Sequence, residues 1–232
     1  AIEPEILDLT NFLKKLRIFI QIFGRKIIIL GKKSVKKKVN HKIIFDRIEA
    51  GTYLIAGALI GKKIIIRNVL PRVIKNEIKI LKKIGAKIAV KKNNITITKS
   101  KNMKKINIIT KPYPGFPTDL QAQWMALMCI ADGKSRVTET IYKDRFTHIS
   151  ELIRFGADIS FKNDTANISG KESLIPAPVM STDIRASASL ILAALSTKGT
   201  SSISRIYHLD RGYENIEQKI KNLGGKIDRL VD

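Results

Sequence analysis

Three stretches of this chain are apolar on nearly every side of the helix they predict. They are residues 46–61 (DRIEAGTYLIAGALIG), 119–133 (DLQAQWMALMCIADG) and 183–199 (DIRASASLILAALSTKG). Each is rich in small residues: Ala56, Gly57 and Ala58; Ala126; Ala186, Ala188, Ala193 and Ala194. A helix without a polar face belongs in a core. Each opens on an acid (Asp46, Asp119, Asp183) and closes at a glycine (Gly61, Gly133, Gly199). Alternating strands are expected next, over residues 63–68, 135–140 and 201–206, then a second, amphipathic helix. That helix ends each time in a matching phrase: Ile84-Gly85-Ala86, Phe155-Gly156-Ala157 and Leu223-Gly224-Gly225. The glycines fit helix C-caps, where positive φ costs glycine little. A closing strand such as 94–98 or 166–169 completes the unit.

The phrases recur about seventy residues apart, so the pattern is an internal repeat with units at about 46–111, 112–176 and 177–232. Central helices with sheets outside them are expected. The class is α/β, but the order is not that of a dinucleotide fold, and no G-x-G-x-x-G follows a strand. Ahead of the repeat, Ile6, Leu9, Leu13 and Leu16 take helical spacing, and residues 26–30 read as a strand closed by Gly31. A basic, irregular stretch, 34–42, leads to Ile43-Ile44-Phe45 and is the expected domain boundary, giving segments 1–45 and 46–232.

The formal charge of +23 raises the question of a polyanion partner. The lysines are spread over many short runs, among them Lys14-Lys15, Lys32-Lys33, residues 36–38, Lys82-Lys83, Lys91-Lys92 and Lys104-Lys105. The 8 Phe, 5 Tyr and 1 Trp do not interleave with them as a stacking platform requires. A solvated surface is the expectation, and nucleic-acid binding the lesser alternative. A single cysteine, Cys129, excludes an internal disulfide and agrees with a reducing compartment. No apolar run approaches the roughly 18 residues that span a bilayer. The N-terminus lacks signal-peptide character and an initiator Met, so a cytoplasmic chain beginning partway through a longer protein is expected.

Candidate chemistry gathers at helix starts and turns. Asp119 sits in residues 116–123 (FPTDLQAQ), where the plain reading is an N-cap. Asp183 is followed by Arg185, Ala186, Ser187 and Ala188; free N–H groups at such a start, with an arginine fork, make an anion site. Corresponding turns of units two and three carry Arg145 (YKDRFTH) and Arg211 (HLDRGYE). Three arginines plus a carboxylate suit a doubly anionic ligand such as a phosphate ester. The competing account is that Asp144–Arg145 and Asp210–Arg211 pair locally in their turns. His41, His148 and His208 lack ligand spacing and read as structural.

The phrases PYPGFPTDLQAQ, TETIYKDRFTHISELIRFGA, STDIRASASLILAAL and RIYHLDRGYENIEQKIKNLGG resemble the second half of the UDP-N-acetylglucosamine 1-carboxyvinyltransferases, a branch of the enolpyruvyl transferases. The likeness runs from about Glu3 to Leu230 and is dense after Pro112. It implies paired inside-out α/β barrels of three units each, with residues 1–45 a remnant of the first and 46–232 most of the second. It also implies addition–elimination in which the enolpyruvyl group of phosphoenolpyruvate moves to the 3-hydroxyl of UDP-N-acetylglucosamine, the first committed step of peptidoglycan synthesis. That step bears on cell shape and division. Asp119 matches a carboxylate that accepts the hydroxyl proton and contacts the sugar, and Ile141 a position lining the sugar-nucleotide site. Arg185 and Arg211 match arginines that hold phosphoenolpyruvate, and Arg145 is a substrate-binding candidate. No metal or organic cofactor is implied. The family's N-terminal half, with its proton-donating loop cysteine, is the implied missing partner; Cys129, inside an apolar helix, is no substitute. Where a Leu-Gly-Ala phrase is expected the chain reads Leu16-Arg17-Ile18, and residues 17–42 are expected to be degenerate or poorly packed. A catalytically dead remnant is the alternative of another class.

Overall fold

The computed structural model describes residues 2–31, 34–35, 37–99 and 102–230; Lys32, Lys33 and Lys36 of the basic runs lie outside them. Helix α1 (Pro4–Lys15) starts on a proline, in the first turn where an N–H has no helical partner. It leads to an antiparallel hairpin of β1 (Phe19–Phe23) and β2 (Lys26–Leu30). Helix α2 (Arg47–Leu59) follows, then β3 (Ile64–Ile66), a 3-10 turn at Pro71–Ile74, α3 (Lys75–Lys83), β4 (Lys87–Lys91) and β5 (Asn94–Thr98). The next unit holds β6 (Ile108–Ile109), a 3-10 turn at Thr118–Leu120, α4 (Gln121–Met128) and β7 (Lys134–Thr138). A 3-10 turn at Lys143–His148, α5 (Ile149–Arg154), β8 (Asp158–Lys162) and β9 (Thr165–Ser169) complete it. The last unit has β10 (Pro178–Met180), α6 (Ile184–Ser196), β11 (Ser202–Ser204), α7 (Tyr207–Asp210) and α8 (Ile216–Asn222).

The fold is α/β, and the apolar helices lie where their sequence requires. All eight residues of α4 are buried, as are most of α2 and α6. The three helices touch one another, and each meets a strand of its own unit. Thr52 of α2, Gln123 of α4 and Tyr213 share one buried hydrogen-bonded group, 2.9 Å from Thr52 Oγ1 to the Tyr213 hydroxyl and 3.1 Å from Gln123 Nε2 to each. The sheets run β3-β5-β4, β6-β7-β9-β8 and β10-β11. Among the described residues none of them closes into a barrel.

The carboxyl end of the amphipathic helix is the most regular feature of the repeat. In α3, α5 and α8 the residue after the left-handed glycine donates its N–H five residues back: Ala86 to Leu81, Ala157 to Leu152, Gly225 to Ile220. Gly85, Gly156 and Gly224 have φ of 101°, 82° and 87°, which closes this motif. The same closure ends α1, where Ile18 donates to Leu13 and Arg17 itself takes φ of 62°. The departure at Leu16-Arg17-Ile18 therefore does not abolish the turn, and the hairpin behind it is ordered. Poor packing is nevertheless found, since only Ile20 of the two strands is buried while Phe19, Phe23, Ile29 and Leu30 are exposed. Helix α1 with β1 and β2 thus repeats the order of α3 with β4 and β5, and of α5 with β8 and β9.

Two buried ionisable groups oppose each other in pH dependence. Burial pushes Glu77 up to about 7 and outweighs the attraction of Arg47. Burial pushes His148 down to about 4, although it donates from Nδ1 to the Arg145 carbonyl at 3.1 Å. Glu77 holds its proton in the fold above the unfolded value of 4.5, so its contribution is full below that value and is lost as pH rises through 7. His148 stays neutral in the fold below its unfolded value of 6.5, so its contribution is full above that value and is lost as pH falls toward 4. Over about pH 4.5–6.5 the two slopes cancel. Glu77→Gln is expected to uncover the histidine slope, a gain of up to about 1.4 kcal/mol of stability per pH unit on going from pH 5 to 6.5. Urea unfolding of both proteins across that range measures it; parallel pH profiles would rule it out.

Candidate functional site

The three helix-opening aspartates look alike in sequence and behave differently in space. Asp46 Oδ1 accepts from the N–H groups of Ile48 (2.7 Å) and Glu49 (2.9 Å). Asp183 Oδ1 accepts from Arg185 (2.7 Å) and Ala186 (3.0 Å). Both are N-caps. Asp119 is not: neither the Thr118–Leu120 turn nor α4 takes a side-chain cap. Its Oδ1 instead lies 3.1 Å from Nη2 of Arg145 and 3.4 Å from Nε of Arg185. Because Asp119 sits in a 3-10 turn, two residues ahead of the first residue of α4, its carboxylate projects toward the arginines of two other segments.

Arg145 comes from the 3-10 turn before α5, and Arg185 from the first turn of α6. Their side chains are about one-sixth exposed, whereas that of Asp119 is 36% exposed, so the cluster opens to solvent through the carboxylate. The Arg145 guanidinium also lies 5.2 Å over the Tyr142 ring. The turn-local pairing of Arg145 with Asp144 is not the arrangement formed.

The free-amide anion site expected at the start of α6 is not present. The N–H groups of Arg185 and Ala186 are taken by Asp183, and that of Ser187 by the Asp183 carbonyl. Burial would raise the Asp183 pKa, but these amides and the Thr147 hydroxyl at 3.1 Å outweigh it and hold the carboxyl below its ordinary value. What remains for an anion at this point is the Arg185 guanidinium.

Arg211 stands at the end of α7, exposed. Its neighbour Asp210 is gripped by both terminal nitrogens of Arg229, at 2.7 and 3.0 Å, so the local Asp210–Arg211 pair is not formed either. Arg211 makes no ion pair among the described residues. Gly212 beside it packs on Ile184, leaving no room for a Cβ, which brings this turn against the residue preceding Arg185. Ile141 is 46% exposed and reaches the surface on the loop between β7 and Arg145. The site residues named from sequence thus fall into a joined set, Asp119 with Arg145 and Arg185, and two flanking ones, Ile141 and Arg211.

Sequence reasoning missed Glu139. It is fully buried and accepts from four donors: the hydroxyls of Thr110 (2.6 Å) and Thr118 (2.9 Å) and the N–H groups of Ile141 (2.8 Å) and Tyr142 (3.1 Å). The signal was present. Ser135, Val137 and Glu139 alternate as a strand does and all are buried, which puts a carboxylate on the inner face. Cys129 is buried and its thiol is pushed up to about 12, so it remains protonated and unreactive. Among the described residues no group of His, Cys, Asp and Glu could hold a metal ion. No helix among them is long and apolar enough to cross a membrane.

The family model for EPSP synthase (3-phosphoshikimate 1-carboxyvinyltransferase) matches residues 1–220. The UDP-N-acetylglucosamine 1-carboxyvinyltransferase of Pelagibacter ubique is 51% identical over 230 residues, which is 99% of this chain and 55% of that protein. The enzyme of the same name from Geotalea daltonii is 48% identical over all of this chain and 56% of its own length. The chain therefore spans about half the length of the curated relatives it matches. Among solved structures, the enolpyruvyl transferase NikO from Streptomyces tendae superposes with a TM-score of 0.88 at 23% identity, covering 97% of this chain and 54% of that one. EPSP synthase from Acinetobacter baumannii superposes at 0.72 and 18%, covering 95% and 55%. At those identities the superpositions establish the fold.

Proposed function

Because the chain belongs to the EPSP synthase family, we propose that it is one part of an enolpyruvyl transferase acting on phosphoenolpyruvate and UDP-N-acetylglucosamine in the cytoplasm. The names carried by the relatives at about half identity support that choice of acceptor. The observation that carries the chemistry is the meeting of Asp119 with Arg145 and Arg185, three segments converging on one solvent-open carboxylate.

In this reading the Asp119 carboxylate accepts the proton of the sugar 3-hydroxyl as the hydroxyl oxygen adds to C2 of phosphoenolpyruvate. C3 is protonated at the same stage by an acid from the remainder of the protein. Loss of that C3 proton and cleavage of the C2–O bond to phosphate then release inorganic phosphate and leave the enolpyruvyl ether. Arg185 and Arg211 neutralise the phosphate and carboxylate, and fixed guanidinium groups need no reorientation as charge develops. Arg145 and Ile141 border the sugar nucleotide.

Residues 46–232 form the second of two inside-out barrels, with α2, α4 and α6 innermost, and residues 1–45 belong to the first. The order helix, left-handed turn, hairpin in residues 4–30 supports that partition, because it is the second half of a repeat unit whose apolar face has no cover. Phe19, Phe23 and Leu30 lie on that face, and its occupant is the remaining half of the same enzyme.

Arg211→Lys tests the reading. In the intact protein it is expected to lower kcat/KM for phosphoenolpyruvate at least tenfold, about 1.4 kcal/mol, because a lysine cannot grip a phosphate at two points. The melting temperature should hardly move, since Arg211 supports no turn pair. Wild-type kinetics with a lowered melting temperature would return Arg211 to a structural role, and an inactive intact protein would remove the proposal.

A further inference from the structure

We propose that Glu139 is a positioning residue, a buried carboxylate clamp that sets the distance between Asp119 and Arg145. The proposal rests on the function proposed above for those two residues. Glu139 has no exposed surface and no cationic partner among the described residues, so its charge is balanced by hydrogen bonds alone. A carboxylate is a costly choice for merely ending a strand. Its four donors explain the choice: they come from three segments, and Oε2 adds the direct link to Thr118 that the Thr110–Thr140 hydrogen bonds and the Thr110–Phe116 bridge do not make.

Thr118 is the residue before Asp119. Ile141 and Tyr142 open the loop that carries Arg145. Thr110 is the residue after β6 and precedes the loop leading to Phe116. Oε2 holds Thr118 at 2.9 Å, and Oε1 holds Thr110, Ile141 and Tyr142. Thr110 Oγ1 already accepts from the Thr140 N–H at 2.9 Å, so its own proton is directed to Glu139. The backbone amides can only donate. Every partner of Oε1 is thus a committed donor, and a group that only accepts is required there. The Asp119–Arg145 ion pair lies on a solvent-open surface, where such pairs alone are weak, and the Glu139 arm to Thr118 ties the Asp119 turn directly to the loop carrying Arg145.

The carboxylate can be dissected. In Glu139→Gln the amide oxygen can replace Oε1, and its NH2 then donates to the Thr118 hydroxyl, which accepts equally well. Glu139→Ala removes both arms, and Thr118→Val cuts only the arm to the Asp119 turn. In the intact protein, Glu139→Ala and Thr118→Val are each expected to lower kcat tenfold or more. The double variant should be no worse than Glu139→Ala alone, and Glu139→Gln should lie within threefold of wild type. Crystal structures of Glu139→Ala and Thr118→Val should show Asp119 and Arg145 more than about 4 Å apart, the outer limit for an ion pair, and that of Glu139→Gln should keep the contact.

A kcat within threefold of wild type for Glu139→Ala or Thr118→Val, with only the melting temperature lowered, overturns the clamp. Should Glu139→Ala not fold, Thr118→Val decides the question. Should the wild-type protein not turn over these substrates, the functional reading fails by itself. The clamp is then judged on the Thr118→Val crystal structure: a retained Asp119–Arg145 contact overturns it, and a broken one supports it.

Discussion

Asp119→Asn in the intact protein is expected to cut turnover by about 10²–10⁴, the range for loss of a general base, while substrate binding stays within about tenfold. The amide keeps the size of the carboxylate and can still accept from Arg145 or Arg185 through its oxygen. It cannot take up the hydroxyl proton. A helix-cap role would give another result: asparagine caps as well as aspartate, so both turnover and stability would survive. Asp46 and Asp183 serve as internal controls, because each accepts two backbone N–H groups and Asp119 accepts none. Steady-state kinetics on the three Asp→Asn variants separates the roles. Less than a threefold loss at Asp119 would take it out of the chemistry.

The largest expected loss of stability follows Trp124→Ala. Trp124 is fully buried in the middle of α4, and its ring meets Phe116 edge-on with centroids 5.5 Å apart. Those two rings bracket the 3-10 turn carrying Asp119, so the residue that fills the core also supports the site. Truncating a buried tryptophan to alanine costs about 3–5 kcal/mol. Domains of this size are stable by only about 5–15 kcal/mol. The variant should therefore unfold at markedly lower denaturant, or fail to accumulate. Circular dichroism must follow it, because Trp124 is the only tryptophan in the chain. A midpoint close to wild type would mean that α4 is not the centre of the core.

Much of this architecture was legible because the repeat writes itself three times. The apolar helices, the glycine turns and the strands at Asn94–Thr98 and Thr165–Ser169 all follow from periodicity and φ preferences. Strands β4 and β8 were not read. Their burial is mostly one-sided and shallow, and the sequence evidence for them is the two-residue turn after each, opened by left-handed Lys92 and Asn163. Arg17 hid a fourth copy of the helix ending, because an arginine there carries the strain that glycine avoids.

At the site, residue identity was legible and geometry was not. The sequence offers three similar aspartates, and only the tertiary fold decides that two cap helices while one faces arginines. The same holds for Asp210, whose partner is Arg229, nineteen positions away, and not the adjacent Arg211. Glu139 escaped notice because two of its four donors, Thr110 and Thr118, lie in segments that reach it only in the folded chain.

Phosphate release in the presence of both phosphoenolpyruvate and UDP-N-acetylglucosamine tests the central claim most directly. The claim is that this chain carries the base and the anion-binding arginines of a cleft whose other wall lies in the rest of the enzyme. The account predicts steady release from the intact protein and none above background from the purified 232-residue chain. Release from the chain alone, or none from the intact protein, would contradict it.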